Sequence, residues 1–210
     1  MATTTGASTV KKTMDRGKLS SRDLVTLGVF SVLFIVITML VVGLCSMSIV
    51  AYLASCAIAA IPAGVVWVYV HIRIPRFGTS LVMATVFALA IFLMGSGWPM
   101  AVALIVGGLL SEVARKIAGP GKFAGISIGY GLFMASWSVG LFAPMLTLID
   151  YYRELQASNN IDPAFTEALF NALTPETLAF IALGTFAGAV VGALVGRAVF
   201  KKHLRRAGVA

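Results

Sequence analysis

Four stretches of this chain contain no Asp, Glu, Lys or Arg: Leu24 to Val70, Phe77 to Ser111, Phe123 to Ile149 and Thr177 to Gly196. A helix needs ~20 apolar residues to cross a hydrocarbon core about 30 Å thick. Within that core every backbone N–H and C=O must be bonded internally, which makes helices the natural reading of such runs. The first run holds two crossings, broken around Gly43-Leu44-Cys45-Ser46, and the second holds two more, broken at Gly95-Ser96-Gly97-Trp98-Pro99. The expected fold is therefore an all-α, polytopic membrane protein with six transmembrane helices, near 24–44, 49–70, 78–94, 98–116, 123–146 and 176–199. Composition agrees: 59% of residues are hydrophobic and 11% charged, against roughly 25% charged in soluble domains. A water-soluble globule, a disordered chain and a disulfide scaffold are all excluded on these grounds.

Lys and Arg collect on the cytoplasmic side of short loops. With the N-terminus inside, every Lys and Arg except Arg153 falls inward, while Asp150, Glu154, Asp162, Glu167 and Glu176 fall outward. One topology satisfies this, with both termini in the cytoplasm. The pI of about 9.9 then reflects topology and not a nucleic-acid surface, which would gather its basic residues on one folded face. Residues 1–17 are hydrophilic and read as a disordered cytoplasmic tail without a cleavable signal, leaving 18–210 as the transmembrane domain. Ser20-Ser21-Arg22-Asp23 has capping-box spacing ahead of an apolar run. Cys45 and Cys56 form no CxxC and read as small hydrophobes.

Absences narrow the chemistry. No charged residue lies deep in an expected span, which disfavours an autonomous proton- or ion-coupled carrier. Glu112, near the inner end of the fourth span, reads as a partner for Arg115 and Lys116. Lys116 to Phe123 superficially follows a phosphate loop, but Lys116 stands where the first glycine belongs and Phe123 replaces the Ser/Thr that holds magnesium. His71 and His203 map to the cytoplasmic side with no thiol or carboxylate at metal-ligand spacing, so no metal and no cofactor is expected. Ser96 has no His or Lys on its side to act as a base, so a serine nucleophile there is disfavoured.

Three outward features together form a candidate ligand site. The turn Met94, Gly95, Ser96, Gly97, Trp98 and Pro99 lets backbone approach a ligand. In the fifth span Met134, Trp137, Leu141 and Met145, with Phe142 beside them, share one helical face. The long outer segment from Asp150 to Pro175 begins with Tyr151 and Tyr152 and exceeds the length at which loops are usually functional or disordered. Within it, Asp162-Pro163 is an N-cap with proline at the first helical position. A short amphipathic helix with Phe165, Leu169 and Ala172 on one face is expected there, as a lid between helices five and six. Thr174-Pro175-Glu176 repeats the signal and opens span six. Two plainer readings stand beside this one: Trp and Tyr collect at membrane interfaces, and a Met/Trp stripe is equally a packing face. Gly184, Gly188, Gly192 and Gly196 make a small-residue stripe that admits a close helix, from this chain, with Gly125 and Gly129 as the matching surface, or from another subunit.

The order and spacing of several segments carry a resemblance. Lys18–Phe30, Ile74-Pro75-Arg76-Phe77-Gly78, the Gly-Trp turn, the Trp137 segment, Ala168–Pro175 and the basic ending Lys201–Gly208 are similar to the S components of energy-coupling factor (ECF) transporters, in the MptD or Trep-Strep branch. The resemblance implies a substrate-binding, non-enzymatic subunit of an ABC-type importer in a prokaryotic plasma membrane. It implies a small-molecule micronutrient as substrate, haem or a vitamin-like molecule, and as partners a transmembrane scaffold subunit and two cytoplasmic ATPases. Many S components carry Ala-x-x-x-Ala on the first span where the scaffold docks; here Gly28 and Ser31 stand in that region.

Overall fold

The computed structural model describes residues 19–119 and 121–206, with side chains to Lys201. The tail 1–17 and the last residues of the basic ending lie outside the described residues. Eight helices and no strand occur among the described residues: α1 (Ser21–Cys45), α2 (Ile49–Arg73), α3 (Thr79–Leu93), α4 (Trp98–Ala118), α5 (Phe123–Thr147), α6 (Ile149–Ser158), α7 (Pro163–Ala172) and α8 (Pro175–Arg206).

Four of them, Ser21–Cys45, Ile49–Arg73, Phe123–Thr147 and Pro175–Lys201, are long and apolar enough to cross a membrane, and Thr79–Leu93 is a shorter apolar helix of 15 residues. The expectation of six full spans is thus met in part. α3 is cut short at both ends by glycines in the left-handed region, Gly78 at φ 92° and Gly95 at φ 85°. α4 matches its expected start but carries Glu112, Arg115 and Lys116 in its final turns.

Local signals set the helix ends. Ser20 Oγ accepts from the backbone N–H of Asp23, and a carboxylate oxygen of Asp23 accepts in return from the Ser20 N–H at 2.9 Å, completing the capping box. Asp162 accepts from the N–H of Ala164 at 2.8 Å, and Thr174 Oγ1 accepts from the N–H of Thr177 at 3.1 Å at the head of α8. The outer segment differs from expectation in one respect: it folds as two helices, α6 and α7. α6 lacks a proline or a side-chain cap at its start, so no sequence signal marked it.

Small residues bring the helices together. In lipid the hydrophobic effect gives little drive between helices, so close backbone packing takes its place. On α8, a Cβ at Gly188 would lie 2.6 Å from the Ala57 carbonyl, and one at Gly196 would lie 2.9 Å from that of Gly64; Gly192 meets Ala60 and Ile61. Residue numbers rise together on the two helices, so α2 and α8 run parallel. The stripe therefore packs within this chain, except at Gly184, where nothing lies within 4 Å of a built Cβ. Its partner is α2, not Gly125 and Gly129. Those two glycines face α4, with Ala118 beside Gly125 and Ser111 beside Gly129. With Gly107 against Ser136 and Gly140 against Ala103, they form an antiparallel α4–α5 zipper. On α1, Leu27, Ser31, Phe34 and Thr38 are buried, while Gly28 has open space around it.

The space between helices is filled by rings. Trp67 stacks on Tyr130 and Phe133 with centroids 5.1 and 5.0 Å apart, and Phe34 meets Phe87 edge-on at 5.7 Å. Tyr130 donates its hydroxyl to the Ala60 carbonyl at 2.8 Å, and Trp67 Nε1 donates to the Ile126 carbonyl at 3.3 Å. Both polar handles are satisfied, as burial demands.

Candidate functional site

The bundle has two chemically different ends. At one, α6 and α7 form a cap over the helix ends. α6 lies on the α3–α4 turn: Asn159 Nδ2 donates to the Gly95 carbonyl at 3.1 Å. A Cβ at Gly97 would come within 3.1 Å of the Tyr151 hydroxyl and of Leu155. Gly97 has φ 80°, so its conformation calls for glycine, and a side chain there would push on Tyr151 and Leu155. Arg153 joins the two cap helices by donating Nε and Nη2 to the two carboxylate oxygens of Glu167 at 3.0 and 3.1 Å. Its guanidinium also lies over the Phe170 ring. Hydrogen bonding to Glu167, first, holds the Arg153 pKa above its usual value.

α7 is pinned to the bundle through Phe165, which meets Tyr52 of α2 edge-on at 5.7 Å; Tyr52 meets Phe142 of α5 in the same way. Leu169 is fully buried. Tyr52 is the cap contact that sequence reasoning missed, since a lone tyrosine in an apolar run carries no positional signal.

The expected ligand-site residues divide into two sets. Met134, Trp137, Phe142, Met145 and Tyr152 are buried, Leu141 packs on the core, and Trp137 sits 5.3 Å from Phe87. Trp98 and Met94 are exposed. Trp98 borders a groove of about 450 Å³ with Leu132, Ser136, Val139 and Ala143, on a different face of α5 from Trp137. The structure therefore joins the turn glycines Gly95 and Gly97 to the cap, with Tyr151 on Gly97, but keeps Trp98 apart from Trp137. Ser96 closes the turn through its backbone N–H to the Ile91 carbonyl at 3.1 Å. Two buried donors near this end, Trp137 Nε1 and the Tyr152 hydroxyl, have no hydrogen-bond partner in the protein. Burial pushes the Tyr152 phenol up to about 12, with Tyr151 adding to the effect.

The opposite end is basic. Asp23 of α1 pairs with Arg76 of the α2–α3 connection at 2.8 Å, and Arg115 of α4 donates Nη2 to the Arg76 carbonyl at 3.3 Å. Arg197 of α8 lies over Phe123 at the start of α5, 4.5 Å from the centroid.

Inside this end lies a buried polar cluster. Glu112 Oε1 accepts from the backbone N–H of Ser80 at 2.6 Å and from Arg115 Nη1 at 3.0 Å. Ser80 Oγ lies 2.9 Å from His71 Nε2, and His71 Nδ1 lies 2.8 Å from the Trp67 carbonyl. A carbonyl can only accept, so Nδ1 carries the proton and Nε2 receives that of Ser80. Ser111 donates to Ser80 in turn at 3.1 Å. The Glu112–Arg115 pair was legible from its spacing; its burial, with Glu112 2% and Arg115 5% exposed, was not. Nor was the position of His71, which lies wholly inside the bundle, stacked on Trp67. Lys116 takes no part in this cluster's hydrogen bonds and is exposed.

A bundle with apolar flanks, one capped end and one basic end has the build of a helical integral membrane protein. The chain belongs to the Trep_Strep family, described as a hypothetical bacterial integral membrane protein, whose family model matches residues 21–206. No curated protein and no solved structure matches it.

Proposed function

We propose that this protein is the substrate-binding S component of an ECF-type importer. α1, α2, α3, α4, α5 and α8 are the six membrane crossings, the basic end and both termini face the cytoplasm, and the α6–α7 cap faces outward. The observation that carries the reading is the cap: two helices clasped by Arg153–Glu167 and seated on the bundle by the Phe165–Tyr52–Phe142 contact. A capped end with buried aromatic and methionine side chains suits capture of a small organic molecule once the cap opens, with the unpartnered Trp137 and Tyr152 donors as its polar handles. The substrate is a micronutrient, haem or a vitamin-like molecule. Tyr151, Tyr152 or a methionine would have to stand in for the usual histidine if the ligand carries iron.

The chain is not an enzyme on this reading. Ser80 and His71 have serine–base geometry, but both are fully buried, and they brace the α2–α3–α4 junction. Energy comes from partners: a transmembrane scaffold subunit and two cytoplasmic ATPases.

Gentle purification of the tagged chain from native membranes, followed by mass spectrometry, tests this. Co-recovery of two P-loop ATPases and a second membrane protein is the expected result. Recovery of the chain alone, after cross-linking as well, would overturn the proposal and favour a solitary carrier or a membrane-embedded enzyme or assembly factor.

A further inference from the structure

At the basic end a cavity of about 320 Å³ opens between the α2–α3 connection and the last turns of α4, lined by Pro75, Arg76, Phe77, Glu112, Arg115 and Lys116. Three cationic side chains and one carboxylate line it. The carboxylate is already engaged by the Ser80 N–H and by Arg115. Arg115 is the informative residue: its side chain is 6% exposed, and its buried Nε has no hydrogen-bond partner. Its Nη1 and Nη2 already donate to Glu112 and to the Arg76 carbonyl, so Nε is the donor left for a phosphate oxygen, while a lysine serves phosphate as a point charge. We propose that this cavity binds a phosphate group, supplied by the headgroup of an anionic phospholipid.

The surroundings favour a lipid over a free anion. Phe77 is 69% exposed at the mouth, and on α4 Val106, Leu109, Val113 and Ile117, the last 82% exposed, form an apolar stripe leading to it. Acyl chains lie along that stripe while the phosphate enters between Arg115 and Lys116. Basic pockets between transmembrane helices are recurrent headgroup sites. The lipid locks the end of α4 to the α2–α3 connection, whichever partners the chain engages, so the inference stands independently of the transport reading.

The test uses the full chain in nanodiscs of phosphatidylcholine with and without phosphatidylglycerol, with retained lipid counted by native mass spectrometry. Both leaflets carry the same lipids, so orientation does not enter. Phosphatidylglycerol should be retained over phosphatidylcholine, and Lys116→Gln should cut that retention about fivefold. Lys201→Gln removes the same charge from exposed α8 and should leave retention unchanged. Equal retention of the two lipids, or equal effects of the two substitutions, would overturn the site. A separate arm adds inorganic phosphate to the lipid-poor protein in detergent. Thermal stabilisation there that Lys116→Gln abolishes, without any phosphatidylglycerol preference, would overturn the lipid source and assign the cavity to a soluble phosphate.

Discussion

Gly64 of α2 and Gly192 of α8 face each other without space for a side chain: a Cβ on Gly64 would lie 2.6 Å from the Gly192 carbonyl oxygen and 2.8 Å from its Cα. Backbone on both sides of this contact leaves nothing flexible to move aside. Gly192→Ala should therefore force α2 and α8 apart and cost about 1–3 kcal/mol, as overpacking does. Gly184→Ala, on the same stripe but in open space, should be neutral or gain up to ~1 kcal/mol from helix propensity. Thermal unfolding of the two variants in one detergent separates them, and equal stabilities would refute this packing.

Glu112 and Arg115 form a buried pair 3.0 Å apart. Glu112→Ala strands the Arg115 charge and the Ser80 N–H together, for a loss of about 3–5 kcal/mol. The same assay reads it, and a loss below ~1 kcal/mol would show that water reaches the cluster.

Tyr152 titrates near 12 in the folded cap, above its ordinary 10.0, because burial disfavours the phenolate. Its folded pKa is raised, so its contribution is complete below pH 10 and is lost as pH climbs towards 12. Tyr152→Phe should remove that alkaline loss. At pH 7 it should cost nothing, since the buried hydroxyl has no partner to lose. Hydrogen exchange of residues 149–172 across this window is the measurement, and an unchanged alkaline opening in the variant would contradict the assignment.

Arg153 and Glu167 are both about half exposed, so salt should weaken their attraction. Raising ionic strength should speed exchange in α6 and α7 without lowering the melting temperature of the bundle. Hydrogen bonding to Glu167 raises the pKa of Arg153 above its ordinary value, so its charge persists into strong alkali and moderate alkali leaves the clasp intact. Exchange that ignores both salt and Glu167→Gln would show that Phe165, Leu169 and the Asn159–Gly95 bond hold the cap without the clasp.

Trp98 and Trp137 should part company on substitution. Trp137→Ala empties a fully buried site and should cost ~3–5 kcal/mol. Trp98→Ala alters an exposed ring and should stay within ~0.5 kcal/mol. Thermal unfolding of the two variants in one detergent is the measurement, and equal losses would refute the burial of Trp137 against an exposed Trp98.

The sequence by itself determined the helical class, the starts of α1, α7 and α8, and the segregation of basic residues. Each follows from local chemistry: charge-free runs, a capping Ser, Asp or Thr, and a proline at a helix start act within a few residues of themselves. Tertiary structure decided the rest. The glycines of α8 could pack on any close helix, and the contact with Ala57, Ala60 and Gly64 chose α2. His71 and Glu112 read as residues near helix ends, yet Ser80, brought from another helix, draws both into a buried cluster. Met134 and Trp137 share a helical face with no mark of what covers it; Phe87 and the neighbouring rings do. Burial and partner choice depend on which faces meet across distant parts of the chain, and spacing along one helix does not encode that.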